Sequence, residues 1–433
     1  MAESAPGRPT AAVLVTGSEL LTGHVRDANG PFVARELGGL GFEIAELMLV
    51  GDRPEDLRSA LEFVAGSGVS LVVTSGGLGP TADDLTAEVV AEFCGAAMHL
   101  DEALRGRIHD KIAGWATRAG FDGPALDAAT AKQSMVPEGA SVLEPVGTAP
   151  GLVLRHGQDG PLVVVLPGPP RELQGMWPSA LGSPPVAELL AGVPRAETRL
   201  LRFFGLPESE IVVTLRELGK ERDLSRVEIT TCQRRSELEV DLHPLPGAEV
   251  ESAELAVAIA ERHRKRLISD VGTTTDELLA RALLDRGLTV ATGESCTGGL
   301  LAGRLVDRAG SSAYVAGGVV AYSNEAKTSL LGVPAEMIAE HGAVSPEVAR
   351  ALADGARERF GADIGVGITG VAGPDGGTEA KPVGYVCFCV TTSDGQMIAR
   401  DPTLPGGRTD VRERSVDTGM HMLLRAAGGL PGA

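Results

Sequence analysis

The stretch TGESCTGG, residues 292–299, decides the fold class of the carboxy-terminal part of the chain. An apolar run at 288–291 precedes it and an apolar-periodic run at 300–306 follows it, which predicts a strand, a tight turn and a helix. The first N–H groups of a helix are unpaired and partly positive, so they favour a phosphate or a developing oxyanion. Ser295 in this turn is placed to act as a nucleophile, provided that a base reaches it. The alternative is an N-capped helix whose glycines serve close packing.

A lysine is the best candidate for that base. The segment YSNEAK, residues 322–327, begins a predicted helix and carries Lys327. A desolvated lysine has a lowered pKa and can accept a proton from serine, whereas the alternative is an ordinary surface lysine. Only His341 lies close in sequence, which favours a Ser–Lys pair over a Ser–His–Asp triad and ranks Cys296 below Ser295 as a nucleophile.

Another glycine-rich loop, TGVAGPDGGT at 369–378, follows the apolar strand predicted at 364–368. Its glycines let the backbone approach a ligand, and Thr369 and Thr378 supply hydroxyl groups. The alternative is a long turn before the next predicted strand, at 383–390.

The composition limits the possible classes of protein. A chain of 433 residues with 57 glycines and 3% aromatic residues indicates an α/β protein of two or three domains. The net charge of −19 argues against direct nucleic-acid binding. Five cysteines in no regular spacing suggest reduced thiols. We expect no signal peptide, no membrane-spanning segment and a cytoplasmic location.

The amino-terminal part alternates predicted strands with helical patterns, which indicates a parallel sheet with right-handed crossovers. Its polar turns, 16–19, 52–56 and 75–84, follow strands and should meet at one edge of the sheet, where ligands of such folds bind. The 75–84 loop can present backbone N–H groups to a phosphate, and Asp83 and Asp84 beside it suit Mg²⁺. The alternative is an acidic cap on the following helix. Glu19 and Asp52 complete the set of candidate carboxylates.

The region between these parts differs in character. Strand patterns at 199–204, 227–231 and 236–242 and a helical pattern at 253–262 predict a small α+β domain. A solvated turn is the favoured interpretation of Arg234-Arg235, over a phosphate site. The predicted fold is therefore α/β, with two mainly parallel domains, 8–177 and 272–430, joined by an α+β domain at 178–268.

Several motifs of the amino-terminal part resemble the CinA (competence/damage-inducible protein A) family. They are TGSELLTG at 16–23 with Asp27 and Asn29 after it, then 75–84, 147–151 and 166–172 in the same order. This domain also resembles the molybdopterin-binding domain of MoaB and MogA, and in CinA proteins it is associated with ADP-ribose pyrophosphatase activity. The resemblance implies that nucleotide phosphates and a divalent ion such as Mg²⁺ bind here. The implied phosphate-side residues are Gly76, Gly77, Gly79 and Thr81, and the implied metal ligands are Glu19, Asp52, Asp83 and Asp84.

The carboxy-terminal motifs at 294–299, 322–327 and 369–377 resemble the nicotinamide-nucleotide amidase (PncC) family, which hydrolyses nicotinamide mononucleotide to nicotinate mononucleotide and ammonia without a metal. Asp375 departs from the more purely glycine loop of that family. The resemblance implies Ser295 as nucleophile and Lys327 as its base, with Tyr322 assisting proton transfer or orienting the lysine. Thr297, Gly298 and Gly299 would supply N–H donors to the oxyanion or the phosphate. The other implied substrate-binding residues are Glu294, Ser312, Asn324, Thr369 and Gly370.

Two other functions stay open at this point. The amino-terminal domain is alternatively a molybdopterin-binding or adenylyltransferase-like module, or the whole protein is a non-catalytic nucleotide sensor. The expected partners are nicotinamide mononucleotide, ADP-ribose and a second copy of the chain in a homodimer.

Overall fold

Parallel strands dominate the central sheet of the amino-terminal unit. The computed structural model describes residues 8–119, 123–193 and 198–430, and the chain divides into two units, Met1–Arg195 and Ala196–Ala433. The elements of the first unit are β1 (Thr10–Thr16), α1 (Ser18–Leu21), α2 (Asn29–Gly39), β2 (Glu43–Val50), α3 (Pro54–Gly66), β3 (Leu71–Ser75), α4 (Thr86–Cys94), β4 (Met98–Leu100), α5 (Glu102–Ala119), α6 (Pro124–Gln133), β5 (Met135–Pro137), β6 (Ser141–Leu143), β7 (Gly151–Arg155), β8 (Leu162–Leu166), α7 (Pro170–Gly182) and α8 (Pro184–Ala191).

The strand order in this sheet is β2-β1-β3-β8-β7-β6. The first four strands in this order are parallel to one another, and β7 is antiparallel to both of its neighbours, β8 and β6. Strands β3 and β8 are buried along their whole length because hydrophobic clusters cover both faces of the sheet. The carboxyl ends of β1, β2, β3 and β8 therefore bring their following turns to one edge. Helix α7 spans the predicted domain boundary at residue 177, and the first unit continues to Arg195.

The second unit contains two sheets. Its elements are β9 (Arg199–Phe204), α9 (Glu208–Leu218), β10 (Val227–Arg234), β11 (Glu237–Pro244), α10 (Glu249–Arg262), a 3₁₀ turn (Arg264–Arg266), β12 (Leu267–Ser269), α11 (Thr275–Arg286), β13 (Val290–Glu294), α12 (Leu300–Val306), a 3₁₀ turn (Ser311–Ala313), β14 (Val315–Val320), α13 (Asn324–Leu331), α14 (Ala335–His341), α15 (Pro346–Phe360), β15 (Ile364–Gly370), β16 (Val386–Thr392), β17 (Met397–Arg400) and α16 (Arg408–Ala426).

The first of these sheets, β10-β11-β9-β12, is antiparallel and is packed against α9 and α10, which is the predicted α+β arrangement. Its β10–β11 turn is tied to the rest of the unit by polar contacts. In this turn, the Ser236 hydroxyl donates to Asp417 (2.7 Å). The same Asp417 accepts a hydrogen bond from Arg304 (2.6 Å), which also donates to Asp276 (2.8 Å). Arg235, predicted to lie in a solvated turn, is half-exposed and lies 3.5 Å from Asp276.

The second sheet has the order β14-β13-β15-β16-β17, with β14, β13 and β15 parallel and β16 and β17 antiparallel. Glycines let α15 lie close to β15, because β-carbons at Gly365 and Gly367 would overlap the carbonyls of Ala353 and Ala349. The predicted α/β fold class is confirmed. Within the described residues, no helix is both long and apolar enough to cross a membrane.

Candidate functional site

Ser295 and Lys327 meet at the carboxyl ends of the parallel strands β13 and β14. The Lys327 Nζ lies 3.2 Å from the Ser295 Oγ. The same Nζ also donates to the main-chain carbonyls of Ala321 (3.1 Å) and Tyr322 (3.0 Å). Lys327 is 1% exposed, and this burial lowers its pKa from the ordinary lysine value. The geometry therefore joins a buried amine with a depressed pKa to a serine hydroxyl.

The turn that holds Ser295 is fixed from two sides. The Ser295 N–H donates to the Ile368 carbonyl (2.9 Å) in the neighbouring strand β15. Helix α16 reaches it through Arg412, which donates to the carbonyls of Cys296 (3.1 Å) and Thr297 (3.0 Å). These contacts hold the serine in one place on the sheet edge, a condition for efficient catalysis by a nucleophile.

Glu294 caps helix α12. It is fully buried, at 0% exposed. Its carboxylate accepts the helix N–H groups of Gly299 (3.0 Å), Leu301 (3.1 Å) and Ala302 (2.8 Å). The sequence predicts a substrate-binding role for Glu294, but the structure differs, because both carboxylate oxygens are occupied by backbone donors. Glu294 is a positioning residue for the turn.

We therefore expect Glu294→Ala to lower the free energy of unfolding by roughly 2–5 kcal/mol, because it leaves buried N–H groups without an acceptor. Urea denaturation would measure this loss. Glu336→Ala is a matched control, since Glu336 lies in the first turn of α14 but is exposed, and it should change stability by less than about 0.5 kcal/mol. An equal effect of both substitutions would contradict the buried capping role.

Two of the three predicted oxyanion donors are also occupied. The Gly298 N–H donates to the Ser295 carbonyl (3.1 Å) and the Gly299 N–H donates to Glu294. The turn and the helix cap therefore use both N–H groups, and their role toward the oxyanion or the phosphate stays a prediction. Gly298 and Gly299 instead provide the left-handed backbone, with φ values of 62° and 91°. Among the described residues, no main-chain carbonyl accepts the N–H groups of Cys296 and Thr297, and both groups interact with the Cys296 sulfur.

Tyr322 acts through its main chain. Its carbonyl accepts from Lys327, which agrees with the predicted orienting role. Its side chain is 60% exposed, and the phenol oxygen accepts a hydrogen bond from Arg408 (3.2 Å). The phenol is thus directed to Arg408 rather than to Lys327, which does not support the predicted assistance in proton transfer.

The structure places the remaining predicted substrate-binding residues of this domain in different parts of the second sheet and its loops. Ser312 precedes β14, whereas Lys327 follows this strand, so the structure places the two residues at opposite ends of β14. The substrate-binding role of Ser312 stays a prediction. Asn324 is exposed at the start of α13.

Thr369 adjoins Ser295 through β15, but its hydroxyl donates to the Ala343 carbonyl (2.7 Å). Gly370 ends β15, and a β-carbon there would contact Val386 at 2.7 Å, so this glycine serves strand packing.

Cys296 is a poor rival nucleophile. The residue is 6% exposed, and burial raises the pKa of its thiol to about 12. The thiolate, which is the reactive form, is therefore scarce near neutral pH. This agrees with ranking Ser295 first.

A cavity of about 610 Å³ marks the candidate site of the first unit. It lies where β1, β2, β3 and β8 end, and loops from all four strands line it. The predicted residues among its lining are Glu19, Asp52, Gly76, Gly77, Gly79, Asp83 and Asp84. Thr81 instead faces the carboxylates: its hydroxyl lies 2.5 Å from oxygens of both Asp83 and Asp84. Thr81 thus orders the loop.

Hydrogen bonds engage several of these carboxylates. Asp84 accepts the Thr81 N–H (2.9 Å), and Asp52 accepts the Ser18 N–H (2.8 Å). The hydrogen bond from Thr81 lowers the pKa of Asp83. Among the described residues, no three His, Cys, Asp or Glu side chains are grouped to hold a metal ion by themselves. Mg²⁺ needs only one or two protein carboxylates when substrate phosphates supply other ligands, so these residues fit it in the presence of a nucleotide.

Comparisons with known proteins assign both parts of the chain to known families. Residues 12–207 match the family described as "Probable molybdopterin binding domain", and residues 272–427 match "CinA C-terminal domain". A "CinA-like protein" from Mycobacterium sp. (strain MCS) is 53% identical over 96% of this chain and 98% of the relative. The chain belongs to the CinA-like protein family. Another CinA-like protein, from Mycobacterium tuberculosis (strain H37Ra), is 49% identical over 98% of each chain. A solved competence/damage inducible protein CihA from Agrobacterium tumefaciens is 42% identical, with a TM-score of 0.34, over 36% of this chain and 95% of its own.

The sequence did not predict the arginines of α16 in this CinA-like protein. Arg408 donates to the Gly373 carbonyl (2.8 Å) and to Tyr322, while Arg412 holds the 296–297 carbonyls. The two arginines are four residues apart and therefore share one face of the helix. That spacing was the available signal, but a helix more than a hundred residues downstream of Ser295 could be assigned to the site only from the fold.

Proposed function

We propose that the carboxy-terminal domain of this CinA-like protein is an amidase that hydrolyses the carboxamide of nicotinamide mononucleotide. The observation that carries this proposal is the set of acceptors around Lys327. A neutral amine has two N–H groups and one lone pair. With both N–H groups donated to the carbonyls of Ala321 and Tyr322, the lone pair is left for the Ser295 hydroxyl.

The mechanism follows from that arrangement. Lys327 takes the proton of Ser295 while the serine oxygen attacks the carboxamide carbon. The N–H groups of Cys296 and Thr297 are candidates to stabilise the oxyanion that forms. Collapse breaks the C–N bond, and Lys327 returns its proton to the departing ammonia. Water then attacks the acyl-enzyme, with Lys327 accepting its proton, and releases the carboxylate product and free Ser295.

The choice of substrate rests on the likeness of the segments 294–299, 322–327 and 369–377 to nicotinamide-nucleotide amidases. The contacts of Arg408 link two of them, since this residue bonds to Tyr322 and Gly373. Arg408 therefore joins the segments 322–327 and 369–377, which supports one shared site for a single mononucleotide ligand.

We propose a second activity, metal-dependent hydrolysis of ADP-ribose, in the amino-terminal cavity. Its support is a set of acidic side chains and glycine turns around one cavity. The residues that would hold Mg²⁺ are Glu19, Asp52, Asp83 and Asp84, and the ion would neutralise the diphosphate charge. The family match to a molybdopterin-binding domain favours molybdopterin binding as a second candidate function for this cavity. Homodimerisation and a cytoplasmic location stay predictions.

Both activities are tested with the full-length protein, with and without EDTA. Ammonia release from nicotinamide mononucleotide should persist in EDTA, because the amidase uses Ser295 and Lys327. Phosphate-ester products from ADP-ribose should appear only when Mg²⁺ is present. No ammonia release would overturn the amidase, and tight binding without turnover of either nucleotide would establish a sensor instead. Binding of molybdopterin without ADP-ribose turnover would favour the second candidate.

A further inference from the structure

Glu172 differs from the four aspartates that line the amino-terminal cavity, and it differs from the exposed Glu19 in its burial. It lines the cavity from the first turn of α7 and is half-buried. Among the described residues, neither a hydrogen-bond donor nor a cation pairs with its carboxylate, whereas Asp27, Asp52, Asp83 and Asp84 all contact donors. A half-buried carboxylate without a partner is costly and calls for a functional explanation.

The sequence explains why Glu172 has no partner. It occupies the third position of α7, from which a glutamate side chain ordinarily folds back to accept the N–H of the N-cap residue. The N-cap here is Pro169 and the next residue is Pro170. Proline has no N–H group, so the local acceptor role is unavailable and the carboxylate remains free.

A glycine makes room for this carboxylate at the cavity wall. A β-carbon at Gly147 would overlap the carboxyl group of Glu172. The carboxylate therefore lies directly against the backbone of the loop 147–149, whose Thr148 and Ala149 also line the cavity. Burial raises the pKa of Glu172, which makes it a stronger proton acceptor than an exposed glutamate.

We propose that Glu172 is the general base that activates water for cleavage of a diphosphate in this cavity. This role rests on the proposed hydrolysis of ADP-ribose. A Glu172 oxygen accepts a proton from water as the water oxygen bonds to one phosphorus atom. The bond from that phosphorus to the bridging oxygen breaks, and the leaving phosphate keeps the bonding electrons. The products are two phosphate monoesters, and the proton on Glu172 returns to solvent.

The test compares Glu172→Gln, Glu172→Asp and the control Glu188→Gln in the full chain, with ADP-ribose and Mg²⁺. Glu188 is exposed on the neighbouring helix α8. We expect Glu172→Gln to lower kcat by about a hundred-fold or more while KM changes little. Glu172→Asp should retain part of the activity, and Glu188→Gln all of it. The thermal midpoint of Glu172→Gln should not fall, because the substitution removes an unpaired half-buried charge.

The pH profile gives an independent readout. The wild-type kcat should decline as pH falls through the raised pKa of Glu172, and Glu172→Gln should lack that acid limb. Other charged groups line the same cavity and are unchanged in this variant: Glu19, Arg26, Asp27, Asp52, Asp83 and Asp84. Strands β6 and β8, which α7 packs against, carry no titratable residue, and Arg155 of β7 is bonded to the Gly160 carbonyl. The helices that pack on α7 carry other charged residues, which are Glu188 of α8 and Arg35 and Glu36 of α2.

Gly147→Ala tests the position of the carboxylate without removing it. It should lower kcat because the added methyl group displaces Glu172, and the double variant Gly147→Ala with Glu172→Gln should be no slower than Glu172→Gln alone. Full turnover by Glu172→Gln, or a change confined to KM, would overturn the base role while leaving the pyrophosphatase intact. Absence of ADP-ribose cleavage by the wild type would overturn both proposals.

Discussion

Ser295→Ala should lower the rate of ammonia release from nicotinamide mononucleotide by at least about a thousand-fold. The substitution removes the hydroxyl group that lies 3.2 Å from the Lys327 amine and that would attack the carboxamide, so no acyl-enzyme can form on this residue. The fold should tolerate the change, because the Ser295 main chain, not its side chain, bonds to Ile368. Steady-state ammonia production, with thermal unfolding as a check on folding, measures both expectations.

Cys296→Ala is the matched control for this substitution. It alters the adjacent residue in the same turn, and Arg412 bonds to its carbonyl rather than to its thiol. Because the buried thiol stays protonated, we expect turnover within about threefold of the wild type. Loss of activity in Cys296→Ala together with full activity in Ser295→Ala would identify the cysteine as the nucleophile and overturn the proposed mechanism.

Lys327→Arg and Lys327→Met should both reduce the same activity by about a thousand-fold or more. Arginine keeps the positive charge and the donors but cannot be deprotonated in a protein, so it cannot accept the serine proton. Methionine fills the space without an amine. If Lys327 served only as a fixed charge, Lys327→Arg would retain activity, and that result would contradict its role as a base.

The pH dependence of the wild type gives a further measurement of the same role. Only the neutral amine accepts a proton, so kcat/KM should rise with pH through the pKa of Lys327. Because burial lowers this pKa, the plateau should begin below the pH at which an exposed lysine titrates. The effect on stability has the matching sign: the charged, buried amine weakens the fold at pH values below its lowered pKa, and this cost disappears as the pH rises.

Local patterns predicted the elements well where one signal dominated. Strand β2 and helix α12 begin and end where the sequence places them, because apolar runs and glycine turns mark their bounds. Strand β13 begins two residues later than the apolar run and extends to Glu294, because pairing with β14 and β15 continues through the first residues of the motif. Pairing with neighbouring strands is a tertiary effect that one segment does not encode by itself.

In the candidate sites, too, some features follow from the local sequence and others from tertiary contacts. The sequence by itself determined that Ser295 follows a strand, that Lys327 begins a helix, and that acidic turns follow the strands of the first unit, because these are local patterns. Tertiary structure alone decided that Glu294 caps α12 and that Arg412 holds the turn. It also placed Ser312 at the opposite end of β14 from Lys327 and left Glu172 without a partner beside Gly147. The physical reason is that a side chain's role depends on which donors and acceptors the folded chain brings within about 3 Å, and those partners are distant in sequence.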